Sequence, residues 1–287
     1  LYVYSAVAKD ENVMKAGADI KKGETVLKAG RLLGSREIGV LAALGMAKVK
    51  VYSVPRVAVF STGSEVTEPG KSLPSGKIYD INAYSLSAAV LESCGKPLYL
   101  GVFLDNMTEL KKALKQALAS ADMAITSGGV SVGPKDIIPQ TLDSLGKPGV
   151  IICGISIKPG KPTTIALIDG KLIFSLPGHR TSALLVFHLL ARPIILHMAG
   201  KKTRKSSRVK AVAAIRMFPA KGRRTFIMVK LKRDEANRLI AEPVPTGLSG
   251  AITTLAKADG FVEIAEKQQF IDANEKVTVH LFKSLEE

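Results

Sequence analysis

The apolar and polar positions change rhythm twice along the chain. Between 56 and 200, apolar β-branched runs alternate with amphipathic stretches. VAVFST (57–62) is a continuous apolar run, the mark of a strand buried on both faces. NAYSLSAAVLESCG (82–95) predicts a helix closed by Gly95, and KPLYLGVFL (96–104) the next strand. Thr108 is placed to cap TELKKALKQALASA (108–121), with Glu109 in its first turn. DMAITSGG (122–129), VIICGISIKPG (150–160) and KLIFSLPG (171–178) read as further strands, and DIIPQTLDSLG (136–146) as a short helix. TSALLVFHLLARPIILHMAG (181–200) reads as a final apolar helix, kinked or stopped near Pro193. This alternation predicts an α/β domain with right-handed crossovers and a mostly parallel sheet. In such sheets ligands bind outside the carboxyl ends of the strands.

The flanks differ. GADIKKGETVLKAGRLL (17–33) predicts two short strands joined by a Lys-Gly turn. A helix then starts with Ser35 as its cap and ends near Gly45. A strand is expected over 48–54, broken by Pro55. Beyond 200 come VKAVAAIRM, TFIMVKLKR, RLIAEPV, DGFVEIAEK and KVTVHLF, short strands separated by turns. They predict a small all-β, partly closed barrel. The expected division is 1–54, 55–200 and 201–287.

Composition narrows the partners. The 287 residues are 46% hydrophobic and 23% charged, an ordinary globular mixture. No window approaches ~18 uninterrupted apolar residues, so no membrane partner is expected. The first residues lack the pattern of a signal peptide and do not begin with Met, which reads as a chain entered midway. Cys94 and Cys153 form neither a disulfide framework nor a metal-ligand cluster and suit a reducing cytoplasm. The net charge of +16 calls for anionic partners, and half of it falls in 201–287. The densest run is KKTRKSSRVK (201–210). No recognition helix, zinc finger or aromatic RNP pattern accompanies it, and the chain has no Trp, so nucleic acid is not expected.

Four loops sit where strands should end. Ser61-Thr62-Gly63-Ser64-Glu65 combines small residues, hydroxyls and a carboxylate. Ser127-Gly128-Gly129-Val130-Ser131-Val132-Gly133, followed by Pro134-Lys135-Asp136, spends chain entropy on three glycines, as a backbone pressed against a ligand or a crossing chain requires. It is not a Walker A loop. Lys158-Pro159-Gly160-Lys161-Pro162 stiffens two ammonium groups that suit phosphate. Leu176-Pro177-Gly178-His179-Arg180-Thr181-Ser182-Ala183 opens a helix, whose N-terminus suits an anion and whose cap could be Thr181 or Ser182. Taken singly, each is also satisfied by a plain turn. Glu65, Asp80, Asp105 and Asp136 lie near the same rim, and such carboxylates are either solvated or hold Mg²⁺ against a phosphate. The histidines show no metal spacing.

In this order, PRVAVFSTGSEV, GKIYDINAYSL, SGGVSVGPKD, IKPGKP and LPGHRTSA resemble the molybdopterin molybdenumtransferase family, the MoeA and gephyrin E-domain proteins. The likeness covers 17–200 and continues more weakly to the end. It implies a three-layer, molybdopterin-binding type sheet, a C-terminal β-barrel-like domain and a short N-terminal remnant. It also implies a reaction: adenylylated molybdopterin is hydrolysed with Mg²⁺, molybdate is inserted and AMP is released. By this likeness Glu65, Asp105 and Asp136 hold the metal, and Lys158 joins them in catalysis. Ser61, Thr62, Gly63, Ser127, Gly128, Gly129, Ser131, Gly133, Lys161, Pro177, Gly178, Arg180 and Ser182 would bind the pterin. The family works as a homodimer.

The sequence departs from the family pattern at Ser64, Asn106, Gly154, His179, Arg180, Met228 and Ala251, and lacks an Asp-Gly-Tyr-Ala stretch. Two alternatives stay open on these departures: tungstate as the oxyanion, and a non-catalytic pterin-binding scaffold.

Overall fold

The computed structural model describes residues 2, 4–129, 137–201, 207–245 and 253–282. Its contacts divide the chain into two units, Leu1–Val51 and Tyr52–Glu287.

In the first unit the regular element is helix α1 (Ser35–Ala43). Gly34, not Ser35, is the N-cap. The Gly34 N–H donates to Glu37 Oε2 (3.0 Å), and Arg31 Nε donates to Glu37 Oε1 (2.7 Å). These contacts hold the Glu37 carboxyl below its usual range, with the Arg31 hydrogen bond as the first cause. The strands expected within 17–33 and 48–54 are turns and irregular backbone instead. In 17–33 the left-handed glycines Gly17, Gly23 and Gly30 reverse the chain before a ladder can extend.

The second unit begins with β1 (Arg56–Thr62), the short parallel pair β2 (Val66–Thr67) and β3 (Ile78–Tyr79), and α2 (Asn82–Glu92). Cys94, rather than Gly95, takes the left-handed conformation after α2, with φ 63°. Then come β4 (Lys96–Phe103), α3 (Met107–Ser120), β5 (Met123–Ser127), α4 (Ile137–Asp143), β6 (Pro148–Cys153), β7 (Ile157–Lys158), β8 (Thr164–Ile168) and β9 (Lys171–Leu176). Asn106, not Thr108, caps α3: its side chain accepts the Glu109 N–H at 2.9 Å.

The main sheet has the order β4-β1-β5-β9-β8-β6. The pairs β4–β1, β1–β5 and β5–β9 are parallel, and β8 is antiparallel to both its neighbours. So β8 alone runs against the rest. Strand β8 has no counterpart among the sequence-predicted strands, although Asp169-Gly170 between TIALI and KLIFSL is the two-residue signal of the β8–β9 hairpin.

Alternate residues of β1 feed opposite faces. Val57 and Val59 join α2 residues Leu86 and Val90 in one cluster, while Ala58 and Phe60 join α3 residues Leu110 and Leu114 in another. This is a three-layer sandwich, and it explains the unbroken apolar run of β1. The last helical stretch is α5 (Arg180–Val186), a π-helical turn (Phe187–Ala191) and α6 (Arg192–Met198). The π turn lies just before Pro193, whose missing N–H and bulky ring disfavour a regular turn there. By length and composition this 19-residue stretch could cross a membrane. Its Ala183, Leu185, Val186, Phe187, Ala191 and Ile195 are instead core residues of the first cluster.

All five strands expected beyond 200 form: β10 (Arg208–Ala213), β11 (Arg224–Arg233), β12 (Leu239–Pro243), β13 (Gly260–Ile264) and β14 (Lys276–Leu281), with a short α7 (Thr253–Lys257) before β13. The order β12-β10-β14-β13-β11 closes on itself through β12–β11 pairing, which makes a barrel. Strand β7 leaves the main sheet and pairs parallel with β11, Lys158 opposite Thr225. The segment expected to be one strand (150–160) is therefore split between two sheets.

Candidate functional site

The parallel strands deliver their carboxyl ends to one rim. Thr62 ends β1 beside Phe103 of β4, and Ser127 ends β5 between Ser61 and Leu176. The loops that follow hold Gly63, Asp105, Gly128 and Gly129, and Pro177 and Gly178.

These loops are packed to the limit of backbone approach. Gly128 has φ 99°, and a β-carbon there would run into the Thr62 carbonyl. Gly129 has φ 63°, and its β-carbon would lie 2.7 Å from both Asp105 Oδ1 and Thr62 Oγ1. Thus β1, β4 and β5 bring Thr62, Asp105 and Gly129 to one point. Thr62 Oγ1 is buried without a hydrogen-bond partner. At Gly63 a β-carbon would sit 2.9 Å from both carboxylate oxygens of Glu65, so that acid folds back over its own loop. Glu65 and Asp105 are exposed to solvent.

Two residues outside the predicted binding set knit the rim. Asn82, at the start of α2, donates from Nδ2 to Ser127 Oγ (2.8 Å) and to the Gly178 carbonyl (2.7 Å). Ser127 Oγ donates in turn to the Pro177 carbonyl at 3.1 Å. The Ser127 proton is therefore used within the wall of the site. Asp80 Oδ1 accepts from Ser61 Oγ (2.9 Å) and from the Ala83 N–H (3.1 Å), which uses the Ser61 hydroxyl as well. Asp80 is 3% exposed and its Oδ2 has no partner. Burial raises its carboxyl above the usual range, against the lowering effect of these hydrogen bonds. Both residues stand in the DIN tripeptide that leads directly into an apolar helix. Asp and Asn at a helix start carried that signal.

At the fourth loop His179 is the N-cap of α5 and makes no side-chain cap. Thr181 and Ser182 lie inside the helix rather than capping it, and Ser182 is buried. His179 therefore starts the helix with an extended backbone, φ −72° and ψ 123°, and Arg180 is its first residue. Lys158 and Lys161 are exposed. Between them Gly160 has φ 117°, and its β-carbon would meet Val186 of α5 at 2.6 Å. The lysine loop is therefore seated against α5, the helix that opens at Arg180. Ser131, Gly133 and Asp136 lie outside the described residues, as does Ala251. Among the described residues no three His, Cys, Asp or Glu side chains form a metal cluster.

The departures acquire physical readings. Asn106 accepts a helix-cap bond that an Asp would also accept. Gly154 has φ 79°, a conformation that strains a Lys. Met228 is 1% exposed within the apolar cluster of Phe226, Val244 and Phe261. Ser64 is exposed.

A three-layer sheet with glycine-tight loops at its carboxyl rim, continued by a closed β-barrel, defines a class of α/β protein that binds ligands outside the carboxyl ends of its strands. The family model "Probable molybdopterin binding domain" matches residues 58–197. The models for the MoeA C-terminal region (domain IV) and N-terminal region (domain I and II) match 210–282 and 2–45. The chain belongs to the molybdopterin molybdenumtransferase family of molybdenum cofactor biosynthesis, the MoeA proteins. It is 34% identical over 277 residues to a molybdopterin molybdenumtransferase of Haemophilus influenzae, covering 96% of this chain and 68% of that protein. It is 32% identical over 289 residues to a putative molybdopterin biosynthesis protein of Methanocaldococcus jannaschii, covering 98% and 68%. A solved MoeA structure from Pyrococcus horikosii superposes with a TM-score of 0.85 at 40% identity, covering 99% of this chain and 68% of that one. The chain thus spans about two thirds of the length of these relatives.

Proposed function

We propose that this rim binds adenylylated molybdopterin, that the bound pyrophosphate is hydrolysed to release AMP, and that molybdate is then inserted at the pterin dithiolene. One observation carries the reading: Gly128 and Gly129 are forced against Thr62 and Asp105, where no larger residue fits. Such packing brings the β5-loop backbone beside the Asp105 carboxylate, which suits a phosphate with a bound cation. The α5 N-terminus adds a positive dipole end beside Arg180, and Lys158 and Lys161 add point charges.

In this proposal Mg²⁺ would be held by carboxylates of the rim. Glu65 and Asp105 offer hard, exposed carboxylate oxygens, and Mg²⁺ is commonly held by one or two carboxylates plus substrate phosphates. Asp136 completes the set in this proposal. When bound, Mg²⁺ neutralises the pyrophosphate and makes its phosphorus more open to attack by water. The chain's own part is positional: the Gly129 backbone and the start of α5 face the phosphate, and the lysines compensate the remaining charge. Ser131, Gly133, Pro177 and Ser182 complete the lining. A cytoplasmic homodimer acting on a small pterin and an oxyanion is part of the same proposal.

The test mixes purified protein with adenylylated molybdopterin, Mg²⁺ and molybdate, then measures AMP and active cofactor. AMP release that requires Mg²⁺ is expected. Tight pterin binding without AMP release would replace the enzyme reading with a scaffold.

A further inference from the structure

Asn82 holds two walls of the rim with one amide. Its nitrogen faces the Gly178 carbonyl, an acceptor only, so the nitrogen and not the oxygen must lie on that side. The same nitrogen donates to Ser127 Oγ, whose own proton goes to the Pro177 carbonyl. Three groups thus close a small circuit across the β5 loop, the β9 loop and the first turn of α2. The circuit saturates the donors of Ser127 and Asn82 on that side. What the two loops can offer a ligand is therefore their backbone, not the Ser127 hydroxyl.

The spacing of these loops matters for an anion. Gly178 sits at van der Waals distance from Gly128, since a β-carbon on it would be 3.6 Å from the Gly128 Cα. Gly128 N donates to the Leu176 carbonyl at 3.3 Å. The β9 loop leads directly into α5, whose first-turn amides point out of the helix start. Moving the β9 loop away from the β5 loop would part Gly129 from Gly178 and from the start of α5.

We infer that Asn82 is a positioning residue for the pterin site: its amide fixes the β5 loop against the β9 loop, and so the separation of Gly129 from Gly178 across the rim. This rests on the pterin-binding reading above. Asn82 does not touch the substrate; it acts through Ser127 and Gly178.

The experiment measures binding of adenylylated molybdopterin by titration calorimetry, and KM and kcat for AMP release, on wild type, Asn82→Ala, Asn82→Asp and Ser127→Ala. Far-UV circular dichroism and the thermal midpoint establish that each is folded. Asn82→Ala is expected to weaken binding by about tenfold, about 1.4 kcal/mol. Asn82→Asp should weaken it further, because a carboxylate would then face the Gly178 carbonyl. Ser127→Ala should weaken it less, since one of the two links survives. KM should rise with little change in kcat, a split that general loss of stability does not produce. Folded Asn82 variants that bind within twofold of wild type would overturn the inference. If both Asn82 variants fail to fold, Ser127→Ala decides: unchanged affinity overturns it. Failure of the wild type to bind the pterin would instead overturn the functional reading on which it rests.

Discussion

Ser61 donates its hydroxyl to Asp80 Oδ1 at 2.9 Å, while the other oxygen of Asp80 is buried with no partner. The pair ties the end of β1 to the start of α2. It also stores a charge where burial resists charge. The carboxyl is raised above its usual range, so the folded state binds the proton more tightly than the unfolded state does. Stability then falls as pH rises from the ordinary carboxylate pKa through the raised one, and is flat above. Asp80→Asn is expected to remove that fall. Urea midpoints of the two proteins between pH 3.5 and 8 check it; parallel curves would refute it.

His188 gives the opposite slope. It packs between Phe187 and Phe282, with ring centroids 5.7 and 4.9 Å away. Burial, and then Arg192, pushes its pKa down to about 4 from 6.5. The folded state holds it neutral, so stability present above the ordinary value is lost as pH falls from 6.5 toward 4. The whole effect is on the order of 3 kcal/mol. His188→Gln should flatten the thermal midpoint over that window.

Gly129→Ala tests the close approach. Its methyl would enter between Thr62 Oγ1 and Asp105 Oδ1. A left-handed alanine and the crowding together cost roughly 2–4 kcal/mol. Pterin affinity should drop by more than tenfold even where the variant remains folded, as equilibrium titration would show.

Asp105→Asn keeps the shape of the rim and removes one carboxylate charge. Pterin binding is expected to stay within threefold, while Mg²⁺-dependent AMP release falls by about 10²-fold or more. Single-turnover AMP assays over a Mg²⁺ series separate the two. Unchanged release at saturating Mg²⁺ would remove Asp105 from the metal set.

Much of this architecture is legible in the order of residues. In β1, Val57, Ala58, Val59 and Phe60 are apolar without a break because both faces of the sheet are covered, and that requirement is written one residue at a time. The five barrel strands are likewise visible as short runs between turns. The misses are local competitions. Asn106 won the α3 cap from Thr108, two residues downstream, because its side chain reaches the Glu109 amide. The 17–33 segment has strand-like residues, but its left-handed glycines reverse the chain and no partner strand lies among the described residues.

For the site, sequence marked which loops matter. Gly128 and Gly129 announced a tight approach, and the fold supplied what they approach: Thr62 from β1 and Asp105 from beyond β4. No spacing rule links those positions, since their meeting depends on which strands are neighbours. Ser61 and Ser127 looked like ligand donors, yet their protons go to Asp80 and Pro177. Asn82 lay in a quoted motif without a role until the fold placed Ser127 and Gly178 on either side of its amide. The sequence by itself determined the layers, the barrel and the glycine loops, because burial and turn chemistry act on near neighbours. Only the tertiary structure decided which hydroxyls remain for a ligand, because a hydrogen bond between residues 45 or 96 positions apart exists only once the sheet order brings them together.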